Sequence, residues 1–195
     1  MGKGRLEAFS DGVFAIIITI MVLEMKVPHG ADLQSLFSIK YVFLSYVLSF
    51  TYVAIYWNNH HHMMHAATRV SGGVLWMNIL LLFWLSLIPF TTAWMGENQF
   101  SLWPVVMYGF ILIMAAIAYY FLAHCLGSIH GKDSKFSLYL GNDRKGKISV
   151  LMYAIAIGLS FVHPIIGFGI YVLVAAMWFI PDKRFENKIN DSSGQ

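Results

Sequence analysis

Charged side chains are scarce in this sequence: only 12% of its 195 residues are charged, whereas 58% are apolar. Soluble domains carry about 25% charged residues, so the composition excludes an ordinary soluble domain. Cysteine is almost absent, and a single Cys125 excludes an intrachain disulfide. The few charges collect near the start of the chain, in residues 132–147 and in residues 182–191. Between them lie apolar stretches close to the roughly 20 residues that a helix needs to cross a bilayer.

Signatures of several functional classes are also missing from the sequence. It contains no Thr-Val-Gly-Tyr-Gly filter, so an ordinary potassium-channel pore is excluded. It contains no Gly-x-Ser-x-Gly elbow, no His-Glu-x-x-His pair and no phosphate-binding loop. The net charge of +3 is modest and follows the loops, so it gives no support for nucleic-acid binding. We therefore expect no enzymatic activity, no cofactor and no nucleic-acid partner.

The apolar stretches predict an all-α, polytopic membrane protein. We expect a domain of six transmembrane helices in residues 1–181 and a polar cytoplasmic tail in residues 182–195. A Pro28-His29-Gly30 cluster ends the first helix, and a tight His163-Pro164 turn joins the last two. The predicted helices cover residues 5–27, 37–66, 73–95, 102–126, 148–162 and 165–180.

The distribution of Lys and Arg predicts the orientation. With the N-terminus inside, the outer segments hold only Lys26 and Lys40. Lys and Arg are enriched in cytoplasmic loops, so both termini are expected in the cytoplasm. The transmembrane helices are expected to contact the lipid bilayer. The inner segments then hold the remaining basic residues: Lys3, Arg5, Arg69, Lys132, Lys135, Arg144, Lys145, Lys147, Lys183, Arg184 and Lys188.

The first helix has two features that the other spans lack. At about 100° per residue, one stripe along it holds Ile16, Thr19, Ile20 and Leu23. Asp11 lies about 100° away from the stripe. A carboxylate at that depth is costly unless it is paired, and it also suits a helix start, so it is either a paired structural group or part of an ion path. A stripe of this kind is typical of helix packing or lipid contact, and it is also compatible with a helix that lines a pore.

Histidines cluster at the cytoplasmic end of the second helix: His60, His61, His62 and His65. His61 and His65 are four residues apart and share a face, a spacing that suits a metal. No Cys, Asp or Glu accompanies them, and a structural zinc site wants four ligands. We favour a polar network with the first helix over a metal site, because His60 lies at about the depth of Asp11 and would pair with it.

These residues resemble the transmembrane protein 175 family of potassium-permeable channels. The resemblance rests on Arg5-x-x-x-Phe9-Ser10-Asp11 at the start of the first helix. It is supported by Trp57-x-x-His60, by Asn78 and by Leu87-Ile88-Pro89-Phe90. The six-helix length covers nearly the whole chain. Animal members carry two such units and sit in endosomes and lysosomes, whereas bacterial members carry one unit and assemble as tetramers around a central pore.

The resemblance implies a bacterial homotetramer in the inner membrane that passes potassium and other monovalent cations. Family members line the pore with the first helix and gate it with bulky apolar side chains instead of a carbonyl filter. Carried onto this sequence, the gate residues are Ile16, Ile20 and Leu23, with Thr19 as a polar layer beside them. The family's structural polar network corresponds to Arg5, Ser10, Asp11 and His60. The extra histidines at 61, 62 and 65 depart from the family pattern.

Two other functions remain open from the residues alone. A secondary transporter or a metal-handling membrane protein would use the histidine cluster of residues 60–65. A membrane-embedded assembly protein would carry no flux at all. Passive flux without a coupled ion favours the channel over both.

Overall fold

The computed structural model describes residues 2–130 and 144–179, and all of their regular secondary structure is α-helical. The expected all-α class is therefore confirmed. The predicted tail of residues 182–195, with its basic residues, lies outside the described part, as do Lys132 and Lys135. The helices are α1 Lys3–Leu23, α2 Leu33–Ser38, α3 Lys40–Ala66, α4 Gly72–Ser86, α5 Ile88–Glu97, α6 Leu102–His130, α7 Arg144–Ser160 and α8 Pro164–Phe179.

The first predicted span ends earlier than the sequence suggested, and the second begins later. Helix α1 stops at Leu23, four residues before the predicted end, and Glu24 is its C-cap. The second span begins at Lys40, because residues before it form the separate short helix α2. The Asp32 side chain caps α2 by accepting a hydrogen bond from the Ser35 amide at 2.7 Å.

The third predicted span is two helices instead of one. Helix α4 ends at Ser86 and α5 begins at Ile88, with Leu87 between them. Pro89 explains the break, because proline has no amide hydrogen and its ring clashes with the carbonyl four residues earlier. The Leu87 amide instead donates to the Trp84 carbonyl in a tighter turn, at 3.3 Å. The prediction of one continuous helix over residues 73–95 was wrong for this reason.

The remaining predicted spans differ from the structure mainly at their ends. The fourth continues to His130, and the fifth begins at Arg144 and ends at Ser160. Within residues 2–130 and 144–179, three stretches are long and apolar enough to cross a membrane: Lys3–Leu23, Gly72–Glu97 and Leu102–His130. Helix α8 is apolar but shorter. The chain is thus a multi-pass membrane protein, whereas the count of six spans stays a prediction.

The first helix and the last two helices pack against largely different neighbours. Helix α1 packs against α3, α4 and α5, and α4 also runs along α6. Helices α7 and α8 form a pair that packs against α6 and α3. Helix α3 therefore contacts both α1 and the α7–α8 pair. The other main neighbours of α1 are α4 and α5, whereas the other main neighbour of the pair is α6.

Tyrosine hydroxyls join the central helices. The Tyr52 hydroxyl donates to the Tyr171 carbonyl at 2.7 Å, and the Tyr171 hydroxyl donates to the Val105 carbonyl at 3.1 Å. The Tyr108 hydroxyl lies 3.0 Å from the Ser49 hydroxyl. In the described part of the chain, every buried side-chain nitrogen and oxygen has a hydrogen-bond partner. Such pairing is what an apolar surrounding demands, because an unpaired polar group there is costly.

Candidate functional site

Helix α1 has one face in the bundle and one face outside it. The inner face repeats at intervals of three and four residues, as an amphipathic helix does. Its buried members are Leu6, Ser10, Phe14, Ile17 and Met21. Because this face supplies the packing of α1 against the rest of the chain, the other face is left without a partner from the described residues.

The four residues predicted from the stripe all lie on the outer face. The exposed fractions are 57% for Ile16, 41% for Ile20 and 80% for Leu23, and Thr19 is also exposed. Exposed apolar side chains of this size in one stripe are covered by lipid, by another protein copy, or by one another around an axis. The structure therefore brings the predicted residues together on one surface, and their role as a gate stays a prediction.

Thr19 offers an oxygen atom on this otherwise apolar surface. Its hydroxyl donates to the Ile16 carbonyl at 2.9 Å and lies 3.1 Å from the Ala15 carbonyl oxygen. Because the hydroxyl hydrogen points back to the helix, the lone pairs of the oxygen remain available as acceptors. An acceptor oxygen of this kind can contact a cation.

A buried chain of polar groups links α1, α3 and α4 near the start of α1. The Asn78 side-chain amide donates to the Ser10 hydroxyl at 3.0 Å, and its oxygen lies 2.8 Å from Nε2 of His60. The Ser10 hydroxyl in turn donates to the Leu6 carbonyl at 2.8 Å. Ser10 and Asn78 are fully buried, and His60 is 2% exposed. This chain fixes the inner face of α1 against two neighbouring helices.

Asp11 belongs to a different contact than the sequence suggested. Its carboxylate accepts a hydrogen bond from the Trp57 indole at 3.0 Å, and it is exposed. The hydrogen-bond partner of His60 is Asn78, so the expected pairing of His60 with Asp11 is wrong. Arg5 is exposed too, and its guanidinium makes no hydrogen bond or salt bridge within residues 2–130 and 144–179. Of the four residues predicted to form one polar network, Ser10 and His60 are joined, through Asn78.

Asn78 and Trp57 supported the family resemblance, but sequence reasoning gave neither of them a role. The signal for Asn78 was present in the sequence, because it is an amide in the otherwise apolar helix α4. A buried amide in such a helix needs partners on other helices. What the sequence lacked was the packing of α4 on α1, which decides that the partners are Ser10 and His60.

Replacing Asn78 by Leu is expected to destabilise the folded protein. The change leaves the buried His60 ring and the Ser10 hydroxyl without the amide between them, at a cost of about 1–2 kcal/mol. Thermal unfolding of purified protein in detergent measures the effect. The matched control is Asn58→Leu, because Asn58 is exposed on α3. Equal melting temperatures for the two variants would show that the buried chain does not stabilise the bundle.

The other histidines stack along the exposed end of α3. The His61 ring lies on Trp57 with centroids 5.9 Å apart, and on His65 with centroids 6.3 Å apart. His62 lies edge-on to His61. Among the described residues, no group of three or more His, Cys, Asp or Glu side chains could hold a metal ion. The geometry of these rings is that of aromatic contacts along one helix.

A salt bridge ties the opposite end of α1 to α5. The Lys26 ammonium, just beyond α1, donates to the Glu97 carboxylate at 2.7 Å. The hydrogen bond and the charge of Glu97 raise the pKa of Lys26 above its usual value. The side chains are 80% and 50% exposed, so the pair contributes little to stability.

The fold and the outer face of α1 define a class: an all-helical, multi-pass membrane protein that presents an apolar stripe on its first helix. The family model described as "Endosomal/lysosomal potassium channel TMEM175" matches residues 5–89. A Chryseobacterium protein named as a potassium channel is 50% identical over 192 residues, which cover 98% of this chain and 100% of the relative. The chain therefore belongs to the TMEM175 family.

Two further comparisons agree with this assignment. A crystal structure titled as a lysosomal potassium-selective channel TMEM175 homolog from Chamaesiphon minutus superposes with a TM-score of 0.80. It shares 28% identity and covers 91% of this chain and 96% of its own. The mouse protein named endosomal/lysosomal proton channel TMEM175 is 32% identical over 116 residues, which are 53% of this chain and 23% of the mouse protein. The family and these relatives are ion channels, which confirms that the chain is not an enzyme.

Proposed function

We propose that this protein is a potassium-permeable cation channel of the bacterial inner membrane. The observation that carries the proposal is the stripe of Ile16, Thr19, Ile20 and Leu23, which lies outside the bundle while the opposite face of α1 is buried. Membership of the TMEM175 family supports it, as do the names of the bacterial relatives. Potassium and other monovalent cations are the proposed partners, and no cofactor takes part.

A pore on this stripe requires several copies of the chain, because one copy of a helix face encloses nothing. We propose a homotetramer with four copies of α1 around a fourfold axis. The buried face of α1 and its polar chain to Asn78 would hold each helix at a fixed rotation. The stripe would then face the axis in every copy, and the bundle would lie between the pore and the lipid.

The gate would be a narrow apolar neck. At 1.5 Å per residue, a ring of Ile20 lies about 6 Å beyond a ring of Ile16, and a ring of Leu23 lies about 4.5 Å further. A narrow water column through such a segment is unfavourable, so the closed state conducts poorly. An ion in the neck sheds part of its hydration, and potassium sheds it more easily than sodium. Potassium is therefore expected to be more permeant than sodium, even without a selectivity filter of carbonyl groups.

The proposed orientation places both termini in the cytoplasm. The start of α1 carries Lys3 and Arg5, whereas the segments assigned to the outside hold only Lys26 and Lys40. The buried polar chain of Ser10, Asn78 and His60 would then lie toward the cytoplasmic end of the pore, and the Lys26–Glu97 pair would lie at its outer end. Six spans give this topology, with α4 and α5 together forming the third.

Ion flux into proteoliposomes tests the proposed function. Purified protein is reconstituted in vesicles with a potassium gradient, and a voltage-sensitive dye reports charge movement. We expect potassium to move passively, with no dependence on a proton or sodium gradient. Flux that requires one of these gradients would identify a coupled transporter, and no flux from well-folded protein would favour an assembly role.

Thr19→Val is expected to lower the preference for potassium over sodium while leaving potassium current near its wild-type level. The substitution keeps the shape of the side chain and removes the oxygen that faces the proposed pore. Reversal potentials with the two ions on opposite sides measure the preference. The control is Thr51→Val on α3, since the Thr51 hydroxyl also donates to its own helix, to the Val47 carbonyl at 2.9 Å. An equal change in the reversal potential of both variants would show that Thr19 does not contact the permeating ion.

A further inference from the structure

A cavity of about 360 Å³ lies between α3, α6, α7 and α8. It is separate from the proposed neck, because α1 contributes nothing to its wall. Its lining is mainly apolar and aromatic, and includes Tyr52, Ile55, Ala116, Tyr153, Trp178 and Lys147. All polar atoms of the neighbouring tyrosine cluster that are buried have partners, so the cavity is not the site of an unpaired polar group.

The cavity extends over part of one leaflet of a bilayer. Its deep end is formed by Tyr52 and Tyr153, which are 1% and 2% exposed. Its other end is formed by Gly146 and Lys147, in the first turn of α7. Tyr153 lies six residues beyond Lys147 on α7, which is about 9 Å along the helix axis. Half of the hydrocarbon core of a bilayer is about 15 Å thick, so a lipid chain that enters from one side is long enough to reach the deep end of the cavity.

Among the described residues that line the cavity, positive charge lies only at the shallow end, at Lys147. Arg144, Lys145 and Lys147 all belong to the first turn of α7. Lys147 is exposed, and its ammonium makes no hydrogen bond or salt bridge within the described residues. The Lys145 ammonium lies 6.0 Å from the ring centroid of Trp178, which itself lines the cavity. An apolar slot with a cationic mouth complements an apolar chain attached to an anionic head.

We propose that this cavity holds an acyl chain of an anionic phospholipid of the cytoplasmic leaflet, with its phosphate at Lys147. The inference rests on the proposed orientation, in which α7 begins at the cytoplasmic surface. The lipid binds between the α7–α8 pair and the rest of the bundle, away from α1. Its effect is therefore on the packing of the helices that surround the pore helix, and it does not enter the ion path.

Native mass spectrometry of the purified protein tests the site with two probes, phosphatidylglycerol and phosphatidylcholine. Wild-type protein is expected to retain one phosphatidylglycerol per chain in preference to phosphatidylcholine. Lys147→Gln should weaken phosphatidylglycerol retention about fivefold, the effect of one basic residue near a lipid head. Val150→Trp should fill the cavity and remove retention of both lipids. Lys40→Gln, which removes an equal charge at the opposite end of the bundle, should leave retention unchanged.

Three results would overturn the lipid site: equal retention of the two lipids, no effect of Lys147→Gln, or the same loss in Lys40→Gln. If Val150→Trp fails to fold, Lys147→Gln and its control decide the question alone. Lipid retention is counted without an ion current, so its failure is distinct from a failure of the proposed channel. The orientation is read separately, by labelling Lys147→Cys from each side of the membrane in a Cys125→Ser background.

Discussion

Cysteine in place of Ile16 is expected to crosslink most of the protein between neighbouring copies. The substitution is made in a Cys125→Ser background, because Cys125 is a free thiol. Ile16 is 57% exposed on the outer face of α1, and a ring of four copies around a narrow neck places its members close to one another. A disulfide needs Cα atoms within about 7 Å, and a short bridging reagent extends that reach. Gel electrophoresis under oxidising conditions should show covalent dimers and no larger species, because each copy carries one thiol and a thiol forms a single crosslink.

The matched control for this crosslink is Leu173→Cys in the same background. Leu173 is 61% exposed but lies on α8, which has its main contacts with α7, α3 and α6 and not with the proposed pore helix α1. A lipid-facing cysteine should stay monomeric under the same oxidation. Equal crosslinking at both positions would indicate random collision, and no crosslinking at Ile16 in an intact oligomer would place the stripe away from the axis.

Asparagine in place of Ile20 is expected to raise potassium current about tenfold and to weaken the preference over sodium. Four amides replace four apolar side chains in the neck, so water enters the closed segment more easily. A barrier lowered by about 1.4 kcal/mol gives a tenfold rate. Ile16→Asn should act in the same direction from the preceding ring. Currents from purified protein in planar bilayers measure the effect, normalised to the amount of folded protein.

Val22→Asn provides a close control for this variant. Val22 is 44% exposed and Ile20 is 41% exposed, so the two positions have similar exposure on the same helix. Val22 lies about 160° around α1 from Ile20, outside the stripe. Its replacement should not raise the current. The gate assignment would be contradicted by equal increases in both variants, or by normal currents in Ile16→Asn and Ile20→Asn with normal protein levels.

Much of the helical architecture follows from local sequence. Long apolar runs and the Pro28-His29-Gly30 cluster locate α1, and the His163-Pro164 turn locates the α7–α8 pair. The sequence does not predict the break at Leu87, although it contains Pro89. Proline is tolerated in transmembrane helices when other groups satisfy the backbone hydrogen bonds. The break itself is seen in the helix bounds, because α4 ends at Ser86 and α5 begins at Ile88.

The candidate site was only partly predictable. The stripe of Ile16, Thr19, Ile20 and Leu23 follows from helical periodicity, and the structure places it on one exposed face. The polar chain does not follow from periodicity, because Ser10, His60 and Asn78 come from three helices. Asp11 was expected beside His60 on grounds of depth alone. Depth leaves the rotation of each helix undetermined, and that rotation directs Asp11 to Trp57.

The reversal potential of the reconstituted protein, with potassium on one side and sodium on the other, tests the central claim most directly. For a potassium-permeable pore whose neck is formed by α1, wild-type protein should reverse on the side of zero that marks potassium as the more permeant ion. Ile20→Asn should reverse closer to zero, and Val22→Asn should reverse at the wild-type value. A reversal potential at zero for the wild type, one that follows an imposed proton gradient, or one that is unchanged in Ile20→Asn would contradict this account.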